Sequence, residues 1–342
     1  MAGFRVPVQP PPMKKAVHDW PITPGENLMR AFRHEKPKYV PCLYQATQFI
    51  IPKAYADITQ KRDGTDCTDW FGTFYKYEAE QEGVTPRPPY VLDDVTEWRD
   101  KIDWLDLGKL DFSVIDNYVR DESLAQACRC FGNGTFEQLH FLEGFEQCLI
   151  DMLDEPEECH DFFERLTDFK IDMYLRQNDV FHYDYACHND DWSNARAQFF
   201  SCATFEETLR DCAVRLAEAV RSTGARYMFH TCGKMGVWLP YIVNEIKADL
   251  IEIQSINDTK EILQTWGDRL TVEYMPDPYI MYNPATTAEQ AREYARSLVD
   301  QFGAHVNPGS GFAVRLVGNI PESYYAFEDE LYNYSLKMYK DL

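Results

Sequence analysis

A (β/α)8 barrel is the fold class this sequence predicts, and three observations carry the prediction. Strand and helix patterns alternate at least four times running from residue 180 onward, which marks parallel βαβ units. No Gly-x-Gly-x-x-Gly turn follows any of those strands, so an open dinucleotide-binding sheet loses its best support. The polar clusters fall at the C-terminal ends of the strands, where a barrel carries its chemistry.

Residues 1–24 read as an extended arm, given Pro10, Pro11 and Pro12 in succession, and residues 25–342 as a single barrel domain. Pro24 to Phe32 predicts a helix with Leu28, Ala31 and Phe32 as its apolar stripe. Lys36 to Tyr44 is the first strand candidate, weakened by Pro41. Residues 45–110 are irregular, aromatic and acidic, and loops of that length usually build a site rather than a core. Helices are expected over Phe145 to Leu153 and over Glu157 to Gln177, the latter with apolar residues at 162, 163, 166, 169 and 173. Val180 to His188 predicts a strand and Asn189 to Trp192 the loop after it. A capping box over Thr204 to Glu207 opens a helix that stops at Gly224. Strands follow over 226–232, Asp249 to Ser255, Arg269 to Met275 and, briefly, Gly303 to Asn307. Between them run helices over 236–247, over Asn257 to Trp266, and from a second capping box at Thr286 to Glu289 as far as Phe302. Pro321 to Tyr339 is the final helix.

Composition excludes several functions. The 342 residues carry 34 Lys and Arg against 56 Asp and Glu, a formal net charge of -22. Nucleic-acid binding needs clustered cations, and an anionic membrane is disfavoured for the same reason. The charge suits solubility, or a face that docks a partner protein. Met1 to Lys15 has no apolar core run, and no apolar stretch of roughly 18 residues occurs elsewhere, so a cytoplasmic protein is expected. The ten cysteines have no repeating spacing and read as reduced thiols.

The chemistry centres on Arg226 to Gly233. Residues two apart on a strand share a face, so His230 and Cys232 point the same way while Tyr227 and Phe229 face the covering helices. Imidazole and thiolate together suit zinc. A third ligand could come from His188, Glu252, Glu273 or His305; Cys187 and His188 face opposite sides, so at most one of them points inward. Asp190 and Asp191 are candidates for a proton donor or a substrate anchor, with His188 beside them; helix capping is the alternative role for the two aspartates. Phe141, Tyr274 and Met275 would form an apolar substrate wall. Gln254, Glu273, Asn307 and Ser310 are the polar substrate-binding candidates at strand ends.

Several segments together resemble the uroporphyrinogen decarboxylase superfamily in order and spacing: Asn189 to Ser193, His230 to Lys234, Asp249 to Gln254, Gly267 to Leu270, and Asn307 to Ser310. The resemblance covers roughly residues 25–340 and implies a distorted (β/α)8 barrel with its site at the strand C-termini. The superfamily holds decarboxylases and zinc- or pterin-dependent corrinoid methyltransferases. The His-x-Cys-Gly pair resembles the methyltransferase branch, where it binds zinc with a later cysteine; this chain has Ser310 at that place. Glu143 stands where relatives often have Arg, and is a candidate for reading a polar substrate. The Arg-rich N-terminal signature of the decarboxylases is missing.

The resemblance therefore implies a corrinoid-dependent methyltransferase acting on a small methylated substrate such as an aryl methyl ether. With no cobalamin-binding Asp-x-His-x-x-Gly loop in the chain, the corrinoid would arrive on a partner protein. The alternatives are a metal-free methylcorrinoid:tetrahydrofolate methyltransferase, a decarboxylase, or a non-catalytic ligand-binding barrel. Relatives include monomers and dimers.

Overall fold

The computed structural model describes residues 18–54, 64–79, 83–114, 118–129, 131–281, 283–307, 311–315 and 321–342. Most of the expected N-terminal arm, and Ser310, lie outside these residues.

The first helix forms where its caps are. The Thr23 hydroxyl accepts from the Glu26 amide and Pro24 takes the first helical position, starting α1 (Pro24–Phe32). The strand expected over Lys36 to Tyr44 does not form. Pro41 has no amide to donate, and the chain makes one helical turn, α2 (Leu43–Ala46), before β1 (Thr47–Ile50). The stretch read as irregular holds a small antiparallel sheet of β2 (Cys67–Thr68), β3 (Phe74–Glu78) and β4 (Gly83–Pro86), followed by the short α3 (Trp98–Lys101).

Regular alternation begins with β5 (Ala125–Cys128), which the sequence pattern did not mark. It continues through α4 (Thr135–Glu143), α5 (Phe145–Asp154), α6 (Pro156–Phe181) and β6 (Tyr185–Asn189). Next come α7 (Cys202–Thr208), α8 (Arg210–Ser222), β7 (Arg226–His230), α9 (Leu239–Tyr241) with a π turn over Ile242–Ile246, and β8 (Leu250–Gln254). The chain ends with α10 (Thr259–Trp266), β9 (Thr271–Met275), α11 (Pro278–Met281), α12 (Ala288–Phe302), β10 (Phe312–Val314) and α13 (Pro321–Met338).

Two caps sit elsewhere than expected. Ser201, not Thr204, caps α7, its hydroxyl accepting from the Thr204 amide at 3.0 Å. The box on α12 is Thr287 with Gln290, one residue beyond Thr286 and Glu289. Residues 303–307 form a turn instead of the expected strand, and the last strand is β10.

Seven strands lie parallel in the order β1-β5-β6-β7-β8-β9-β10. The sheet curls so that Val314 of β10 pairs with Cys42, its amide donating to the Pro41 carbonyl at 2.9 Å. This α/β, barrel-like sheet is buried on both faces, as parallel sheets are. One row of side chains, including Ala127, Tyr185, Cys187, Met228, Leu250 and Ala313, packs inside with Leu28 and Phe32 of α1. The alternate row, including Tyr227, Phe229, Ile251, Val272 and Phe312, packs outward under the helices. Helix α1 closes the end at which the strands start: the Gly25 amide donates to Ser123, and the Thr271 hydroxyl to the Ala31 carbonyl at 2.6 Å. The interior of the curled sheet therefore opens toward the strand C-termini.

Candidate metal centre

His230 ends β7 on the inward row, level with Asn189 on β6, Glu252 on β8 and, one strand further, Glu273 on β9. Its two ring nitrogens face different partners. Nδ1 lies 3.1 Å from the Glu252 carboxylate. Nε2 lies 3.4 Å from the Cys232 sulfur and 3.6 Å from Oδ1 of Asp191. The donor atoms of Asp191, His230 and Cys232 all fall within 4.8 Å of one another. Nitrogen, sulfur and carboxylate oxygen on one point is a donor set that zinc accepts, and a carboxylate on the outer ring nitrogen is the usual second partner of a ligating histidine.

Local backbone bonds hold the three in place. The Cys232 amide donates to Asp191 at 2.7 Å, and the Trp192 amide to the Thr231 hydroxyl at 2.9 Å. These bonds lace the loop after β6 to the loop after β7. Gly233 has φ 80°, and its amide donates to the Gln254 side chain at 3.0 Å. Gln254 also approaches the Cys232 sulfur at 3.8 Å, so this predicted substrate residue braces the turn. Lys234 donates to the Asn194 carbonyl at 3.0 Å.

Burial sets the electrostatics. It pushes the His230 imidazole down to about 4, with Arg315 and Arg129 acting the same way against Asp191; the neutral ring is the form that ligates. Burial, then Asp191, pushes the Cys232 thiol well above its usual range. A bound cation would reverse that, since it favours thiolate. Glu137 is raised to about 8 by burial and then by Asp191 and Asp190, and Glu273 to about 8 by burial, with Arg129 opposing.

A cavity of about 450 Å³ opens over this cluster. Asp191, His230, Asn189, Glu137, Arg129 and Arg315 supply its polar wall; Tyr75, Val84, Pro86 and Phe141 supply an apolar one. Of the predicted residues, Asp191, His230 and Phe141 therefore line it, and Cys232 adjoins it through His230 and Asp191.

The other predicted residues lie elsewhere. His188 sits on the outward row, its ring 3.3 Å from the Tyr227 hydroxyl and packed near Phe131 and Phe229, so it is not the third ligand. Asp190 is buried and turned to α4, accepting from the amides of Phe136 and Glu137 at 3.2 Å each and from the Trp192 indole at 2.9 Å. Glu143 is buried at the end of α4 beside Asp151 and Cys148. Tyr274 points outward to the Tyr294 hydroxyl at 3.3 Å. Glu273 is buried in the interior without a hydrogen-bond partner, and Met275 is half-buried at the end of β9. Asn307 is in the turn after α12, bonded to Gln301 at 3.4 Å, and His305 is in the same turn, so neither reaches the site.

Arg129, Glu137 and Arg315 are the site residues the sequence reading missed. Arg129 follows a strand of small residues that carries no strong β signal. Glu137 is three residues after Gly134, and its carboxylate accepts from the Gly134 amide at the start of α4 at 3.0 Å. Arg315 follows a strand of three residues.

An inward-facing polar cluster at the C-terminal mouth of a curled parallel sheet defines a barrel-type enzyme site. The family model for uroporphyrinogen decarboxylase (URO-D) matches residues 131–316, more than half of the chain, and the chain belongs to that family. Its members are enzymes, and the wider superfamily includes decarboxylases and corrinoid methyltransferases. No curated protein matches the chain.

Proposed function

We propose that the chain is a metal-assisted methyltransferase that takes a methyl group from a small methylated substrate and delivers it to a corrinoid on a separate protein. The observation that supports this most is the convergence of Asp191, His230 and Cys232 beside the cavity. Asp191 stands in for the ligand that Ser310 does not supply as cysteine, and the full (β/α)8 closure known for the superfamily would place all three at one rim.

Zinc held by these three side chains would act as a Lewis acid on the ether oxygen. The Glu252 carboxylate lies beside Nδ1 and leaves Nε2 as the nitrogen facing the other two donors. Phe141, Tyr75 and Val84 form a wall against which a flat or apolar substrate body packs. Glu137 carries a proton near neutral pH and faces the same cavity. The methyl carbon–oxygen bond breaks with its electron pair on oxygen. A cobalt(I) corrinoid on the partner would accept the methyl group with its own electron pair, and Glu137 would give its proton to the departing oxygen.

The test is metal analysis of untagged protein together with methyl transfer to a cobalt(I) corrinoid. Stoichiometric zinc, lost in His230→Ala and Cys232→Ala along with transfer, is the expected result. Metal-free protein protected by tetrahydrofolate would overturn it in favour of transfer from a methylcorrinoid to the folate. A decarboxylase is the second reading, favoured by the two guanidiniums at the cavity wall. Release of carbon dioxide from an acid substrate without any corrinoid would establish it instead.

A further inference from the structure

Arg129 is a buried cation that the metal-centre reading does not use. It follows Ala125 and Ala127 on the inward row of β5 and lines the cavity. Its guanidinium lies over the Phe49 ring, 4.9 Å from the centroid. Its buried Nε has no hydrogen-bond partner, and it forms no ion pair among the described residues. The acid whose field it feels most among carboxyls is Glu273, which burial keeps protonated. Arg315 stands just past β10 on the same inward row and pairs with Glu252. Each guanidinium lies in the other's field, and Arg129 weakens the protonated form of Arg315.

The nearest polar neighbour of Arg129 is the Cys187 thiol, and a buried guanidinium with no carboxylate partner is costly. Its planar fork matches a carboxylate with two parallel hydrogen bonds, a geometry that an ammonium or a neutral donor does not reproduce. The Phe49 ring packs against that fork. The cavity beside it has room for a small molecule.

We infer that the substrate is a small carboxylic acid, and that Arg129 is the residue that selects it by gripping the carboxylate, with Arg315 beside it. For the methylated portion of the substrate this rests on the function proposed above; for the acid it rests on Arg129. The acid end lies against β5 and β10, and the reacting end lies toward His230 on β7.

The test is calorimetric binding, which needs no turnover. Methoxyacetate and 3-methoxybenzoate are each compared with the corresponding neutral amide, on zinc-loaded and on metal-free protein. At least one acid should bind about tenfold or more tightly than its amide. Arg129→Gln should abolish that preference while leaving zinc content unchanged, and Arg129→Lys should restore only part of it. Equal affinity of acid and amide in the wild type overturns the inference, as does the absence of acid binding up to about 10 mM. So does a preference that survives in Arg129→Gln. The wild-type comparison decides even where the variants do not fold. Acid preference in a protein that holds no zinc would sink the methyl-transfer function and leave this inference standing; zinc with methyl transfer but no acid preference would do the reverse.

Discussion

Gly233 is the residue on which the geometry of the site turns. Its φ of 80° and the closeness of Asn194, whose carbonyl oxygen would lie 2.4 Å from an added Cβ, leave no room for a side chain. The turn it makes carries Cys232 back toward His230 after β7 has ended. The strand rule alone put His230 and Cys232 on one side, and the two do converge, but Cys232 lies beyond the strand. Its position is fixed by the Asp191 and Gln254 bonds, which the local sequence does not encode. Gly233→Ala must therefore pay both a left-handed backbone and a clash with backbone atoms. Thermal melting should show a loss of about 1–3 kcal/mol, and zinc affinity should fall with it. A melting temperature equal to the wild type's would mean that the turn relaxes freely and does not set the site. The sequence presents Asp190 and Asp191 as a pair. Adjacent residues turned apart, one to the cavity and one to α4, and only the partner loops decide which goes where.

Helix α4 is the element that joins the fold to the chemistry, because it carries Glu137 and Phe141 to the cavity. Its N-terminus is anchored by Asp190, which accepts two of its amides and the Trp192 indole in a fully buried setting. Asp190→Ala strands three donors at once. The expected cost is about 3 kcal/mol or more, read from denaturant unfolding, with Asp190→Asn less damaging because it keeps one acceptor. Equal stability of the alanine variant and the wild type would show that α4 is held by packing alone. At this scale legibility followed pattern strength. Helices with clear apolar stripes, such as α1, α6 and α12, and the β-branched or aromatic strands β7, β8 and β9 were evident. β5 is Ala-Gln-Ala-Cys, and β10 has three residues; neither offers enough period to be seen. β2 has two residues, β3 five, and β4 is half-buried throughout, too little period to stand out, yet these strands bring Tyr75, Val84 and Pro86 to the cavity.

Across the whole molecule, burial of ionisable groups gives stability a definite dependence on pH. Among the described residues, burial raises the carboxyls of Asp190 to about 6, Glu328 to about 7, Glu137 and Glu273 to about 8 and Glu143 to about 9, and it raises Asp69 as well. Between their unfolded values near about 4 and these raised values, the native state holds protons that the unfolded chain has released. Stability is therefore fully present below that window and falls as pH rises through it. Burial lowers the histidines His140 and His230 to about 4. There the unfolded chain holds the extra proton, so stability rises with pH, but only up to the unfolded histidine value near about 6.5. From pH 6.5 to 8 these carboxyls outweigh Lys170, whose ammonium burial lowers to about 8 and which acts in the opposite sense, and the net charge of -22 adds repulsion of the same sign as the carboxyls. The melting temperature should fall steadily across that interval. Glu143 gives the cleanest test. It does not line the cavity, its carboxyl oxygens have no hydrogen-bond partner among the described residues, and Asp151 lies beside it. Glu143→Gln removes its titration without changing its shape. At about 1.4 kcal/mol per pH unit, the wild type's extra loss from this one group over the interval is at most about 2 kcal/mol, and the variant's curve should be flatter by part of that amount. The comparison is of slopes, so a constant offset between the proteins does not matter. Parallel curves from pH 6.5 to 8 would show that Glu143 is already ionised in the folded protein, and that water reaches it between α4 and α5.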